Sequence, residues 1–94
     1  MKTPEEILED NGYSIEDLKN EGTILFRNPD FRFAMIGMSD DYRVVYDYEK
    51  MLEFLVETED MSYEDAADFV SYDTIKSLNY KSGNKPIVMY PLIN

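Results

Sequence analysis

Apolar residues alternate in the middle of the chain in a way that predicts a β-hairpin. Phe31 and Phe33 lie among strand-forming neighbours, which predicts a strand over residues 31–38. Because apolar side chains occur on both faces, we expect this strand to be central or covered on both sides. Gly37 interrupts the pattern and predicts a bulge. After a polar turn, residues 43–46 form the predicted return strand.

Immediately after the hairpin, the apolar residues no longer alternate with polar ones but recur at the spacing of a helix. Asp47 suits an N-cap, because its carboxylate can accept hydrogen bonds from the first free helical N–H groups. The predicted buried face of the helix that follows comprises Tyr48, Met51, Leu52, Leu55 and Val56. Ser62 suits the cap of a second helix, whose apolar stripe comprises Tyr63, Ala66, Ala67 and Val70. The two helices cover residues 47–73, and a weaker helical pattern continues to Leu78.

The flanking segments complete the predicted domain. Two short helices, the first capped by Thr3, precede Gly22. Further strands are predicted at 23–27 and 86–90, and the two prolines that bracket the last strand favour an edge position.

Together these elements predict an α+β fold with a small, mainly antiparallel sheet of three or four strands and the helices packed on one face. Residues 1–94 are predicted to form a single domain. It comprises a short helical N-terminal segment, residues 1–22, and an α+β core, residues 23–90.

Composition narrows the classes of function. Twenty acidic and nine basic residues give a net charge of −11, which disfavours direct binding to nucleic acid or anionic membrane. The sequence contains no cysteine and no histidine, which excludes thiol nucleophiles, imidazole bases and the usual zinc sites. Without a signal peptide or an apolar run long enough to span a membrane, a cytoplasmic location is expected.

A set of short motifs resembles a group of small Firmicutes proteins, including those of gut bacteria and their mobile elements. The motifs are Glu21–Phe26 with Asn28–Asp30, Ala34–Gly37, Arg43–Met51, Met61–Ala66, Tyr72–Tyr80 and Pro86–Tyr90. The resemblance implies a bacterial or phage source and a compact α+β unit. It implies no activity, ligand or catalytic residue.

The strongest candidate for a partner-binding surface is acidic. Residues 47–73 contain ten acids and one base, Lys50. The candidate partner-binding residues are Glu49, Glu53, Glu57, Asp60, Glu64, Asp65 and Asp68. Like charges four residues apart on a helix repel, so the pattern favours a surface that presents negative charge to a basic partner. The alternative is a solvated helix face that only keeps the protein soluble.

No metal, cofactor or catalytic residue is predicted. Aligning Gly12 with the glycine of an EF-hand loop puts Ile7 and Leu18 where oxygen ligands are required. The four glycines are too far apart for a phosphate-binding loop. Paired carboxylates remain the only plausible catalytic chemistry, and twenty acids in a small chain produce pairs by chance. We therefore expect a protein that is not an enzyme.

Eight tyrosines are a second feature of the composition. Tyr46, Tyr48, Tyr80 and Tyr90 are predicted either to rim the core or to form a protein-binding patch. The expected function is a non-enzymatic, acidic protein-interaction module, for example an inhibitor or nucleic-acid mimic from a mobile element or phage that acts against host defence. The alternative is a small structural or regulatory domain whose acidity serves solubility. Such a domain could form a homodimer through its edge strand or the Ala66–Ala67 face.

Overall fold

A computed structural model describes residues 1–93 of the chain. The helices are α1 (Pro4–Asp10), α2 (Ile15–Asn20), α3 (Tyr48–Thr58) and α4 (Tyr63–Asp68), and the strands are β1 (Met35–Met38), β2 (Val44–Asp47) and β3 (Ile87–Met89). A 3₁₀ turn, Arg32–Ala34, precedes β1, and α4 continues through a π-helical segment, Phe69–Ile75, into a 3₁₀ helix, Lys76–Tyr80. The α+β class is confirmed, with three strands.

Side-chain caps start the helices where the sequence predicts. The Thr3 hydroxyl accepts a hydrogen bond from the Glu6 N–H at 3.1 Å, and the Glu6 carboxylate accepts one from the Thr3 N–H at 3.0 Å. Asp47 accepts a bond from the Lys50 N–H at 3.1 Å and so begins α3. Ser62 caps α4 in the same way. These bonds satisfy N–H groups that have no partner within the helix.

The sheet has the order β1-β2-β3, with β2 in the centre. β1 and β2 form the predicted antiparallel hairpin, and the register shifts between Met35 and Gly37, which confirms the bulge. β3 pairs with β2 in parallel and lies at an edge, as its flanking prolines predict. The expectation that the 31–38 strand is central or covered on both sides is wrong, because β1 is the other edge and its two middle residues are exposed.

Local bonding at Asp30 explains why that strand is shorter than predicted. The Asp30 carboxylate accepts a hydrogen bond from the Arg32 N–H at 3.0 Å, and Phe31 adopts a left-handed conformation with φ 51°. This turn competes with strand pairing and rotates the following residues into the 3₁₀ turn. Phe31 is consequently buried, whereas Phe33 is 61% exposed.

The predicted strand 23–27 does not form. Only Thr23 makes a bridge, a single parallel pairing with Asn84. Leu25 and Phe26 are consecutive and both buried, which is incompatible with a strand that buries one face. The segment nevertheless supplies core side chains.

The core lies between α3 and the sheet. α3 contacts β2, the 3₁₀ turn and α4. The largest fully buried side chains are Tyr46, Phe31, Met51, Leu55, Val44 and Val70. Leu8 of α1 and Leu18 of α2 belong to the same apolar cluster, so the N-terminal helices pack on the core. Within residues 1–93, no helix has the length and apolarity needed to cross a membrane.

Candidate functional site: the acidic surface of α3 and α4

The seven predicted partner-binding residues all lie exposed on α3, α4 and the loop between them. We call this set the acidic surface: Glu49, Glu53 and Glu57 on α3, Asp60 in the loop, and Glu64, Asp65 and Asp68 on α4. Glu49, Glu53 and Glu57 recur every fourth residue, so they form one row along α3 at intervals of about 6 Å.

The negative charge of the acidic surface is not neutralised by ion pairs within residues 1–93. In the described part of the chain, the three ion pairs join Lys2 to Asp10, Arg27 to Glu5 and Arg32 to Asp30. All three lie within residues 2–32, and none includes a carboxylate of α3 or α4. The ten acids of residues 47–73 therefore have a single base among them and form no ion pair, whereas three of the ten acids elsewhere in the chain are paired.

Asp30, unlike the carboxylates of the acidic surface, has an ion-pair partner that lowers its pKa. Burial alone would raise the pKa of Asp30, but the hydrogen bonds and charge of Arg32 outweigh it, so the pKa of Asp30 lies below its usual value. The Arg32 guanidinium contacts that carboxylate at 2.7 Å and also donates a hydrogen bond to the Lys2 carbonyl at 2.6 Å. Asp30 is thus a structural anchor for the N-terminus.

Tyr63 joins the two acidic helices. Its hydroxyl donates a hydrogen bond to the Glu49 carboxylate at 2.9 Å. That bond, with smaller effects of burial and of the charges on Glu49 and Glu53, raises the pKa of Tyr63. The structure therefore brings Glu49 and Glu53 of α3 to the first residue of α4.

Tyr48, the residue before Glu49 in α3, is in contact with another tyrosine, Tyr90. The rings of Tyr48 and Tyr90 pack at 4.6 Å between centroids with an interplanar angle of 38°. Burial, followed by the proximity of Tyr90, Glu49 and Asp68, raises the pKa of Tyr48. We call Tyr48, Tyr63 and Tyr90 the tyrosine cluster. Of the acidic surface, Glu49 bonds the hydroxyl of Tyr63 and directly follows Tyr48 in the chain, so it links the members of the cluster.

Of the four tyrosines predicted to rim the core or to form a binding patch, Tyr46 cannot belong to a surface patch. Tyr46 is fully buried in the core, and Tyr80 is 91% exposed at the end of the 3₁₀ helix. The prediction that Tyr63 lies on the apolar stripe of α4 is wrong, because Tyr63 is 51% exposed. Its exposure carries no sequence signal, because it depends on how α4 packs against α3. Ala66 is fully buried, so it cannot form the proposed dimer face.

The acidic surface is an open face of the protein and does not line either of its two larger clefts. A cleft of about 240 Å³ lies between α1 and β1, and another of about 230 Å³ lies beside the π-helical segment. Neither is lined by a residue of the acidic surface, and both are smaller than typical ligand pockets of roughly 300–1,000 Å³. Residues 1–93 contain no group of three or more acidic side chains arranged to hold a metal ion.

Comparison with protein families, curated proteins and solved structures finds no match for this chain. The resemblance to Firmicutes proteins therefore stays a prediction.

Proposed function

We propose that the protein is a non-enzymatic interaction module that binds a basic partner protein through the acidic surface of α3 and α4. The observation that supports this most directly is the absence of ion pairs on that surface within residues 1–93, although the same chain pairs three carboxylates elsewhere. Carboxylates that are exposed and unpaired retain their full field for an incoming partner.

Helix energetics support the same proposal. Neighbouring glutamates of the α3 row repel by a few tenths of a kcal/mol each. The last turn of α3 contains Glu57 and no basic residue, so its charge also opposes the helix dipole. A basic partner relieves both costs on binding, which converts intramolecular repulsion into affinity.

The class of partner follows from charge and from the sequence resemblance. Rows of carboxylates can substitute for phosphates, so a nucleic-acid-binding protein is the proposed target and inhibition by mimicry the proposed mechanism. A mobile element or phage that must silence a host defence protein would use such a module in the bacterial cytoplasm. In this proposal the protein needs no cofactor and contacts neither nucleic acid nor membrane directly.

The test compares two charge reversals of equal size. Glu53→Lys with Glu57→Lys changes the acidic surface, and Glu9→Lys with Glu21→Lys changes exposed acids near the ends of α1 and α2. Glu5 is unsuitable as a control, because it pairs with Arg27 at 2.7 Å. A partner is first isolated by affinity capture, and association rates are then measured at several salt concentrations.

Slower association in the α3 variant alone, with a weaker salt dependence, is the expected result. Competition between the wild-type protein and nucleic acid for the same partner would support mimicry. Equal loss in both variants would show that only net charge matters and would overturn the assignment of this surface.

A homodimer is the second candidate, and one observation favours it. β3 is an edge strand, and Leu92 and Ile93, just beyond it, are almost fully exposed. An open edge followed by apolar residues can pair with a second copy. Sedimentation or light scattering across a concentration series would detect this dimer, and Leu92→Ser with Ile93→Ser, which removes the exposed apolar side chains, should weaken it.

A further inference from the structure

The tyrosine cluster presents aromatic rings, not only charge, at the surface. Tyr63 is 51% exposed and Tyr90 is 56% exposed, so each ring leaves a large part of its area in water. Tyr48 is half-buried beneath Tyr90. Exposed tyrosines that are held in place are typical anchors of protein interfaces, because their few torsions cost little entropy on binding.

Each ring is fixed by a specific contact. The hydrogen bond to Glu49 holds the hydroxyl of Tyr63 at 2.9 Å. Packing on Tyr48 at 4.6 Å holds Tyr90. The Glu49 carboxylate retains acceptor capacity beyond the bond to Tyr63, because two oxygens offer about four lone-pair sites. The cluster therefore combines ordered ring faces with a carboxylate that can accept further donors.

The combination of an exposed aromatic ring and a carboxylate favours binding of an arginine side chain over a lysine side chain. A guanidinium group can stack on an aromatic face and donate paired hydrogen bonds to a carboxylate, whereas an ammonium group is a compact, strongly hydrated point charge. The chain already contains a related contact where the π-helical segment meets the 3₁₀ helix, because the Lys76 ammonium lies 4.5 Å from the centre of the Tyr72 ring. Cations are thus accommodated by surface tyrosines of this protein.

We infer that the tyrosine cluster binds an arginine side chain of the partner protein, with the guanidinium over the ring of Tyr63 and paired with Glu49, the carboxylate that the Tyr63 hydroxyl contacts. The inference rests on the proposed function and specifies its recognition chemistry. Charge complementarity brings the basic segment to α3 and α4, and the ring of Tyr63 then selects arginine over lysine.

The test uses two peptides with alternating glycine, one carrying arginine and the other lysine at the same positions. Dissociation constants are measured by fluorescence anisotropy for the wild-type protein and for Tyr63→Leu combined with Tyr90→Leu. The control is Tyr80→Leu, since Tyr80 is exposed but distant in sequence from the acidic helices. Circular dichroism establishes that each variant keeps its fold.

The arginine peptide should bind the wild-type protein more tightly than the lysine peptide. The double tyrosine variant should lose about tenfold in affinity for arginine and little for lysine, with no loss in the control. Equal affinities for both peptides, unchanged by the tyrosine substitutions but reduced by Glu53→Lys with Glu57→Lys, would overturn this inference and leave the proposed function intact. Binding of neither peptide would also overturn it.

Discussion

At the scale of single residues, the two leucines of α3 are the clearest determinants of stability. Leu52 and Leu55 are almost completely buried and belong to the apolar core cluster. Either Leu→Ala substitution should lower the free energy of unfolding by about 2–5 kcal/mol, because it removes apolar contacts and leaves a cavity. Denaturant unfolding provides the measurement, and Glu53→Ala on the exposed face should change stability by less than about 0.5 kcal/mol. Wild-type stability in both leucine variants would contradict the assigned helix face.

Tyr46 should make the fold sensitive to alkali. Burial raises its pKa to about 12, since the charged phenolate is disfavoured in the core. The folded state therefore keeps its proton where the unfolded chain, with an ordinary value near 10, has lost it. The stabilisation is complete below about pH 10 and declines by up to about 3 kcal/mol as the pH rises to about 12.

Tyr46→Phe is the matched control for this pH dependence. It cannot ionise, and it loses only the long hydrogen bond from the Phe26 N–H at 3.4 Å. Unfolding free energies measured from neutral to alkaline pH should fall less steeply for the variant than for the wild type. Tyr48 and Tyr63 also have raised pKa values, but they are common to both proteins and cancel in the difference. Parallel pH profiles would refute the role of Tyr46.

Individual residue roles were predictable where the responsible physics is local. The caps at Thr3, Asp47 and Ser62 depend on side chains bonding N–H groups three residues away, and all three are confirmed. Tyr63 was not predictable, because its partner Glu49 lies on another helix. Its exposure depends on how α4 packs, which helical spacing alone does not fix.

At the scale of elements, the effect of a glycine-to-alanine substitution can be compared at Gly83, where two backbone segments meet, and at Gly37, where they do not. Gly83 has φ 111°, and a Cβ atom there would lie 2.7 Å from the Gly22 carbonyl oxygen. This close approach supports the bonds from the Ile24 N–H to the Asn84 carbonyl and from the Asn84 N–H to the Gly22 carbonyl, both 2.9 Å. Gly83→Ala should therefore destabilise the fold by more than about 1 kcal/mol.

Gly37→Ala should be close to neutral in the same thermal or denaturant melts. A Cβ atom at Gly37 would meet nothing within 4 Å, and its φ is not positive. If Gly83→Ala were as harmless as Gly37→Ala, the junction between residues 22–24 and 83–84 would not contribute to the fold.

Elements were predictable when their own pattern determines them and not when distant partners do. α3 carries both its cap and its apolar stripe, so its position was correct. The segment 23–27 has strand-forming residues but finds only Asn84 as a partner, so no strand forms. The turn at Phe31 depends on the local Asp30–Arg32 bond, which competes with an equally plausible strand pattern.

At the scale of the whole molecule, the negative net charge should make the melting temperature depend on salt concentration. The net charge is −11, and the carboxylates of α3 and α4 have no ion-pair partner within residues 1–93. Added salt screens their repulsion, so the melting temperature should rise between low and physiological ionic strength. Glu53→Lys with Glu57→Lys should raise the melting temperature at low salt and reduce its salt dependence. A melting temperature that falls with salt would contradict this description.

The residues of the acidic surface could be predicted from the sequence, but their arrangement around the tyrosine cluster could not. Counting acids and bases along residues 47–73 identified seven side chains that the structure indeed exposes. The position of the tyrosine cluster among them depends on the contact between Tyr63 and Glu49 and on the return of β3 beside β2. Those contacts are tertiary and leave no periodic signal in the sequence.

The most direct test of the central claim is a titration of the isotopically labelled protein with the arginine peptide, followed by amide chemical shifts. Binding through the acidic surface predicts shifts that concentrate on α3, on the start of α4 and around Tyr90. The amides of α1 and α2, which carry exposed acids of their own, should remain unchanged. Shifts spread over every acidic segment in proportion to local charge would contradict the claim, because they would mean that α3 and α4 have no special affinity for a basic partner.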